Sequence, residues 1–107
     1  MTTFDSREKA FEDKFAHDAE LVFKVTARRN KLLGIWAAEL LKLTPAEADS
    51  YAKSVIAADF EEAGDEDVLR KVHGDLAARG VEISEAEVRR AMDEKMVEAR
   101  RQFMESL

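Results

Sequence analysis

The feature that most constrains this chain of 107 residues is the scarcity of residues that interrupt helices. It contains one proline and four glycines, and neither residue type occurs before Gly34. Because both are unfavourable inside helices, their scarcity favours long helices over strands joined by many turns. Hydrophobic residues make up 46% of the chain, enough for one core, and a chain of this length forms a single domain. We therefore predict an all-helical fold.

Start and stop signals divide the chain into four predicted helices. Thr44 with Glu47, and Ser84 with Glu87, have the spacing of a capping box, in which two residues satisfy each other's backbone N–H groups. Asp65 follows a glycine and is predicted to cap the third helix. The predicted helices span residues 5–41, 45–62, 65–79 and 84–105. Apolar stripes on the last three predict a common core, and hence a four-helix bundle.

The first predicted helix is longer than its partners. A helix over residues 4–40 extends for about 55 Å, whereas one over 84–105 extends for about 33 Å. About 15 of its residues, with three of the six phenylalanines, therefore have no obvious internal surface to cover. The apolar residues of this helix fall within about 60° of one line along its surface: Phe4, Phe11, Phe15, Val22, Val25, Leu33, Trp36 and Leu40.

Two interpretations of this excess length remain open. In one, the helix bends near Ala16–Ala19 and the phenylalanines fold back onto the chain's own core. In the other, residues 1–19 form a segment that is frayed when free and binds a groove on another protein as an amphipathic helix, while residues 20–107 form the bundle. We favour the second, because mixed charges flank the aromatic stripe and keep a loose segment soluble. Attachment to the bundle spares such a segment the cost of helix nucleation.

Charge and composition exclude several classes of function. The net charge is −6, and residues 54–107 hold fourteen acidic and eight basic side chains, so nucleic acid is not an expected partner. The absence of cysteine excludes disulfides, cysteine-bound zinc and thiol nucleophiles. No histidine lies at a sequence spacing from a serine that would indicate a catalytic pair. The first residues lack the apolar core of a signal peptide, and no apolar run is long enough to span a membrane. We expect a cytoplasmic protein that is not an enzyme and needs no metal or cofactor.

One basic cluster keeps a second function open: Lys24, Arg28, Arg29 and Lys31, with no acidic residue between Val22 and Ala38. It predicts either an anion or nucleotide-phosphate site, with weak ATP or ADP binding, or ion pairs with the acidic stretch 59–67 across the bundle. We favour ion pairing. A nucleotide-sensing module remains as one alternative to a protein that binds its partner through residues 1–19, and a helical adaptor without any regulatory effect is another.

Two long runs in the sequence resemble a known family. Residues 7–18 read REKAFEDKFAHD and are followed at 27–38 by ARRNKLLGIWAA, and residues 58–68 read ADFEEAGDEDV. Together they resemble the zeta-subunit family, the inhibitors of the F1Fo-ATP synthase of alphaproteobacteria. The resemblance spans nearly the whole chain.

The resemblance implies a four-helix fold with an inhibitory segment in about the first 14–19 residues. It also implies that this segment inserts between the catalytic α and β subunits of F1, touches the γ subunit and blocks rotation in the direction of ATP hydrolysis. We expect a monomer when free, located at the cytoplasmic face of the inner membrane through F1, without direct membrane insertion. The residues that match the inhibitory segment are Phe4, Asp5, Arg7, Glu8, Lys9, Ala10, Phe11, Lys14 and Phe15.

Overall fold

The computed structural model describes residues 3–60 and 64–105, with side chains described from residue 6 onward. It contains the helices α1 (Thr3–His17), α2 (Ala19–Leu40), α3 (Pro45–Ala58), α4 (Glu66–Ala78) and α5 (Glu85–Met104). No strand occurs within these two ranges, so the prediction of an all-helical fold is confirmed. The predicted last residues of the second helix, 61 and 62, lie outside the described residues.

Capping boxes explain where two of these helices, α3 and α5, begin. The Thr44 hydroxyl accepts from the Glu47 backbone N–H at 3.2 Å, and the Glu47 carboxylate accepts from the Thr44 N–H at 2.9 Å. Ser84 and Glu87 form the same reciprocal pair at the start of α5, which confirms both predicted capping boxes. Asp65 occupies the predicted cap position of α4, but its side chain makes no capping hydrogen bond.

The main core lies between α2, α3, α4 and α5, and α2 packs against each of the other four helices. Gly34 lets α2 and α3 approach closely, because a Cβ atom at this position would lie 2.7 Å from the Cα atom of Ala52. The predicted apolar stripes of the last three helices supply most of this core. Its buried residues are Leu33, Ala37, Val55, Val68, Leu69, Val72, Leu76, Val88, Ala91 and Met92.

The prediction of one continuous helix over residues 5–41 is wrong. The backbone of Asp18 is extended, with φ −116° and ψ 100°, and it separates α1 from α2. Its carboxylate accepts a hydrogen bond from the Leu21 N–H at 3.1 Å, so Asp18 caps α2. The described residues therefore contain five helices where four were predicted. The molecule measures 48 Å in its longest dimension, less than the roughly 55 Å of a straight helix over 4–40. The chain bends near Ala16–Ala19, as the alternative interpretation predicted.

The part of the chain that the structure describes contains neither a membrane-spanning helix nor a metal-binding cluster. None of its helices combines the length and the apolar character needed to cross a bilayer. Nor do three or more histidine, aspartate or glutamate side chains cluster there in a way that could hold a metal ion.

Candidate functional site

Helix α1 packs against α2 and α5 through its aromatic residues. The Phe11 side chain is 2% exposed, Phe15 is half-buried, and their stacked rings have centroids 5.9 Å apart. Both rings therefore have partners within the chain's own fold. They belong to a second apolar cluster, apart from the main core, whose other members are Leu21, Val25, Leu32, Met96, Ala99, Phe103 and Met104.

This packing corrects the prediction of a frayed segment with free phenylalanines. The residues around Asp18 turn the chain back, so that Phe11 and Phe15 gain an internal surface whose burial is favourable. Phe4 and Asp5 lie within α1, but their side chains lie outside the described residues. The remaining predicted site residues face solvent, so α1 has a polar outer face and an aromatic inner face: the exposed residues are Arg7, Glu8, Lys9, Ala10 and Lys14.

Arg100 of α5 contacts this inner face and was not identified from the sequence. The central carbon of its guanidinium group lies 4.9 Å from the ring centroid of Phe15 and 5.9 Å from that of Phe11. Both distances lie within the range of favourable cation–π contacts, about 6 Å. Arg100 also lines a cleft of about 250 Å³ between α1 and α5, together with Glu8 and Glu12. Nothing in the sequence indicates this contact, because it joins opposite ends of the chain.

Arg29, one of the four predicted anion-binding residues, is engaged inside the protein. It is 2% exposed. Its Nη2 atom donates to Asp65 Oδ1 at 2.8 Å, and its Nε atom donates to Asn30 Oδ1 at 2.7 Å. Arg29 therefore forms an ion pair with the acidic stretch 59–67, as one of the two interpretations predicted. Because the Asp65 carboxylate is engaged with Arg29, it does not cap α4.

The other three basic residues of the cluster do not converge with Arg29 on one site. Lys24 pairs with Glu20 on its own helix at 3.0 Å. Arg28 donates to Gln102 Oε1 at 2.5 Å, which joins α2 to α5. Lys31 is exposed. The four residues thus have separate roles: Lys24 in a local ion pair, Arg28 in an interhelical hydrogen bond, buried Arg29 in an ion pair with half-exposed Asp65, and Lys31 exposed to solvent.

A pair of exposed aromatic rings lies on another face and was not singled out from the sequence. Phe23 and Phe60 are 54% and 66% exposed, and their ring centroids are 5.7 Å apart. They line a cleft of about 160 Å³ together with Asn30 and Asp59. The Asn30 amide nitrogen is buried without satisfying hydrogen-bond geometry to any described group. Burial raises the pKa of the Asp59 carboxyl, and the nearby Asn30 amide and Arg29 act in the opposite direction.

Comparison with known proteins identifies the family. A family model described as ATPase inhibitor subunit zeta matches residues 1–102, nearly the whole chain. A protein solved by solution NMR is 52% identical, with a TM-score of 0.70, over 79% of this chain and 96% of that chain. No curated protein matches the chain. Because this match covers nearly the whole chain, the chain belongs to the ATPase inhibitor subunit zeta family.

Proposed function

We propose that this protein inhibits the F1-ATPase by inserting α1 between the catalytic α and β subunits, against the γ subunit, and so blocks rotation in the direction of ATP hydrolysis. Membership of the family gives the coarser statement, which is that the chain has the role of an ATP synthase inhibitor, a regulatory subunit rather than an enzyme by kind. The insertion of α1, the subunits it contacts and the direction of the block are the parts that we propose.

The observation that carries the proposal is the break in the helical backbone at Asp18, between α1 and α2. Asp18 ends α1 and begins a new, independently capped helix, so α1 does not depend on α2 for its hydrogen-bond ladder. Phe11 is the one residue of α1 that is fully buried among the side chains described from Ser6 to His17. A helix attached in this way can leave the bundle without dismantling the main core.

The chemistry of α1 suits a groove between protein subunits. Its inner face offers Phe11 and Phe15, and aromatic side chains are typical anchors in protein interfaces. Arg7, Glu8 and Lys14 stand on the exposed side and supply charged contacts at the rim of such a groove. We further assign to the inhibitory segment Phe4 as an anchor, with Asp5, Lys9 and Ala10 as contacts.

Deletion of residues 1–15 tests this proposal. We expect the truncated protein to lose inhibition of ATP hydrolysis by purified F1, because it lacks the inserted helix. The circular dichroism spectrum should remain helical, since the main core is built from α2 to α5. A full-length variant with the same fifteen residues in scrambled order is the control for composition and charge, and it should also fail to inhibit. Full inhibition by the truncated protein would refute the proposal.

The partners and location follow from the same proposal. The protein binds the α, β and γ subunits of F1, is a monomer when free, and reaches the cytoplasmic face of the inner membrane through F1. Nucleic acid is not a partner, because the chain carries a net charge of −6. The Arg29–Asp65 pair and the dispersed positions of Lys24, Arg28 and Lys31 weigh against a nucleotide-sensing module. An NMR titration with ATP or ADP distinguishes the two functions, because nucleotide binding at the cluster would shift those four residues.

A further inference from the structure

The two aromatic rings that the proposed insertion needs are already in use within the free protein. Phe11 is 2% exposed and Phe15 is half-buried against the second apolar cluster. The same ring surfaces cannot pack against α5 and against a foreign groove at once. Docking of α1 on its own bundle and binding of α1 to a partner are therefore mutually exclusive.

Among the side chains described from Ser6 onward, few hold α1 in its docked position. Its charged residues from Arg7 to Lys14 are exposed, so the two rings supply the main apolar contact. On the side of α5, Arg100 spans both rings at 4.9 and 5.9 Å. The neighbouring cleft brings Glu8 and Glu12 of α1 to the same surface as Arg100 and Arg101 of α5, a complementary arrangement of charge.

We infer that α1 is held by Arg100 in a docked, non-inhibitory position, and that the protein inhibits only after α1 leaves this position. The inference rests on the proposed function, since it concerns the same helix. A ligand that binds the undocked form alone has an apparent affinity reduced by the fraction of protein in that form. Loosening the docked state should then strengthen inhibition, which is the opposite of what loss of a contact usually does.

Replacement of Arg100 tests the inference directly. Arg100→Ala removes the cation–π contacts and should lower the concentration for half-inhibition of purified F1 by roughly 3- to 10-fold, as the undocked fraction rises. Arg90→Ala is the matched control, because Arg90 is an exposed arginine on the same helix and lies in the cleft beside Trp36. It should inhibit like the unmodified protein. Equal or weaker inhibition by Arg100→Ala would overturn the inference.

A reversible bridge between α1 and α5 provides a second test. Glu12 and Val97 line the same cleft and are both exposed, and the chain has no cysteine of its own. In the double variant Glu12→Cys, Val97→Cys, a cleavable thiol-reactive crosslinker should abolish inhibition, and cleavage of the linker should restore it. Undiminished inhibition by the bridged protein would overturn the inference, whereas inhibition by the unbridged form keeps the proposed function intact.

A distance measurement separates failure of the inference from failure of the proposed function. Spin labels on the same two cysteines report the separation of α1 and α5 without any need for F1. In the free protein, Arg100→Ala should broaden the distance distribution towards longer values, and Arg90→Ala should not. An unchanged distribution would contradict the docking role of Arg100, even if the protein does inhibit F1. If the distribution shifts as expected but no variant inhibits, the proposed function fails.

Discussion

Arg29 reaches its carboxylate partner from inside the protein. Its side chain is 3% exposed, whereas that of Asp65 is 50% exposed, so the cation carries most of the cost of burial. A charge taken out of water is tolerated when it is paired and hydrogen-bonded, and here Asp65 and Asn30 both accept from the guanidinium group. The pair also fixes the start of α4 against α2.

We predict that Asp65→Ala lowers the free energy of unfolding by about 1–3 kcal/mol, because it leaves a buried guanidinium group without its charged acceptor. The substitution removes no capping bond, since the Asp65 side chain makes none. Glu66→Ala is the matched control. It removes an exposed ion pair with Arg89 and should cost less than about 1 kcal/mol. Urea unfolding of both variants measures the difference, and equal losses would contradict the role assigned to Asp65.

The Asp59 carboxyl group makes the free energy of unfolding of this protein depend on pH. Burial raises the pKa of its carboxyl, so the folded protein binds this proton more tightly than the unfolded chain does. The contribution of Asp59 is therefore most favourable at low pH and is lost as the pH rises through the folded pKa. The Asp59 carboxyl also lies at the C-terminus of α3, where the helix dipole disfavours the ionised form.

We therefore expect Asp59→Asn to raise the free energy of unfolding at pH 7 by about 0.3–1 kcal/mol. The gain should shrink as the pH falls towards 3.8, the ordinary value for an aspartate. Urea unfolding at pH 7 and at pH 4 tests both parts. Asp93→Asn, which neutralises an exposed acid on α5, controls for the change in net charge. A gain that does not depend on pH would argue against ionisation of Asp59 as its cause.

At the scale of the elements, helix starts could be read from the sequence wherever a capping box marked them. Thr44 with Glu47, and Ser84 with Glu87, depend on neighbouring residues alone, and the structure has both. Asp18 was harder to interpret, because aspartate is also common on exposed helix surfaces and neither glycine nor proline accompanies it. Folding back is favoured by the burial of Phe11, a tertiary contact that no local pattern contains.

The approach of α2 to α3 leads to a prediction at Gly34. An alanine Cβ at this position would lie 2.7 Å from the Cα atom of Ala52, so the two helices would have to separate. We expect Gly34→Ala to lower the free energy of unfolding by about 1–3 kcal/mol. Gly74→Ala is the control, because nothing lies within 4 Å of the added Cβ on α4. It should raise stability by about 0.5–1 kcal/mol through helix propensity. Thermal unfolding of the two variants measures both effects. If Gly34→Ala and Gly74→Ala change the free energy of unfolding in the same direction, the close contact is contradicted.

For the molecule as a whole, the sequence predicts a candidate site in residues 1–19 but not the packing of that segment against the rest of the chain. The spacing of Phe4, Phe11 and Phe15 marked residues 1–19 as distinctive, and the family match covers them. That Phe11 is covered depends on the path of the chain around Asp18. The position of Arg100 over the rings depends on how α5 lies against α1. Both follow from packing between segments distant in sequence, and no motif of this chain records either.

The position of α2 has a consequence for how such proteins diverge. It adjoins four neighbours, whereas each neighbour meets fewer elements, so a changed residue on α2 disturbs several interfaces together. An insertion or replacement in one of the other helices is confined to fewer surfaces. Sequence variation among related proteins should accordingly be lowest along residues 19–40 and should accumulate towards both ends of the chain.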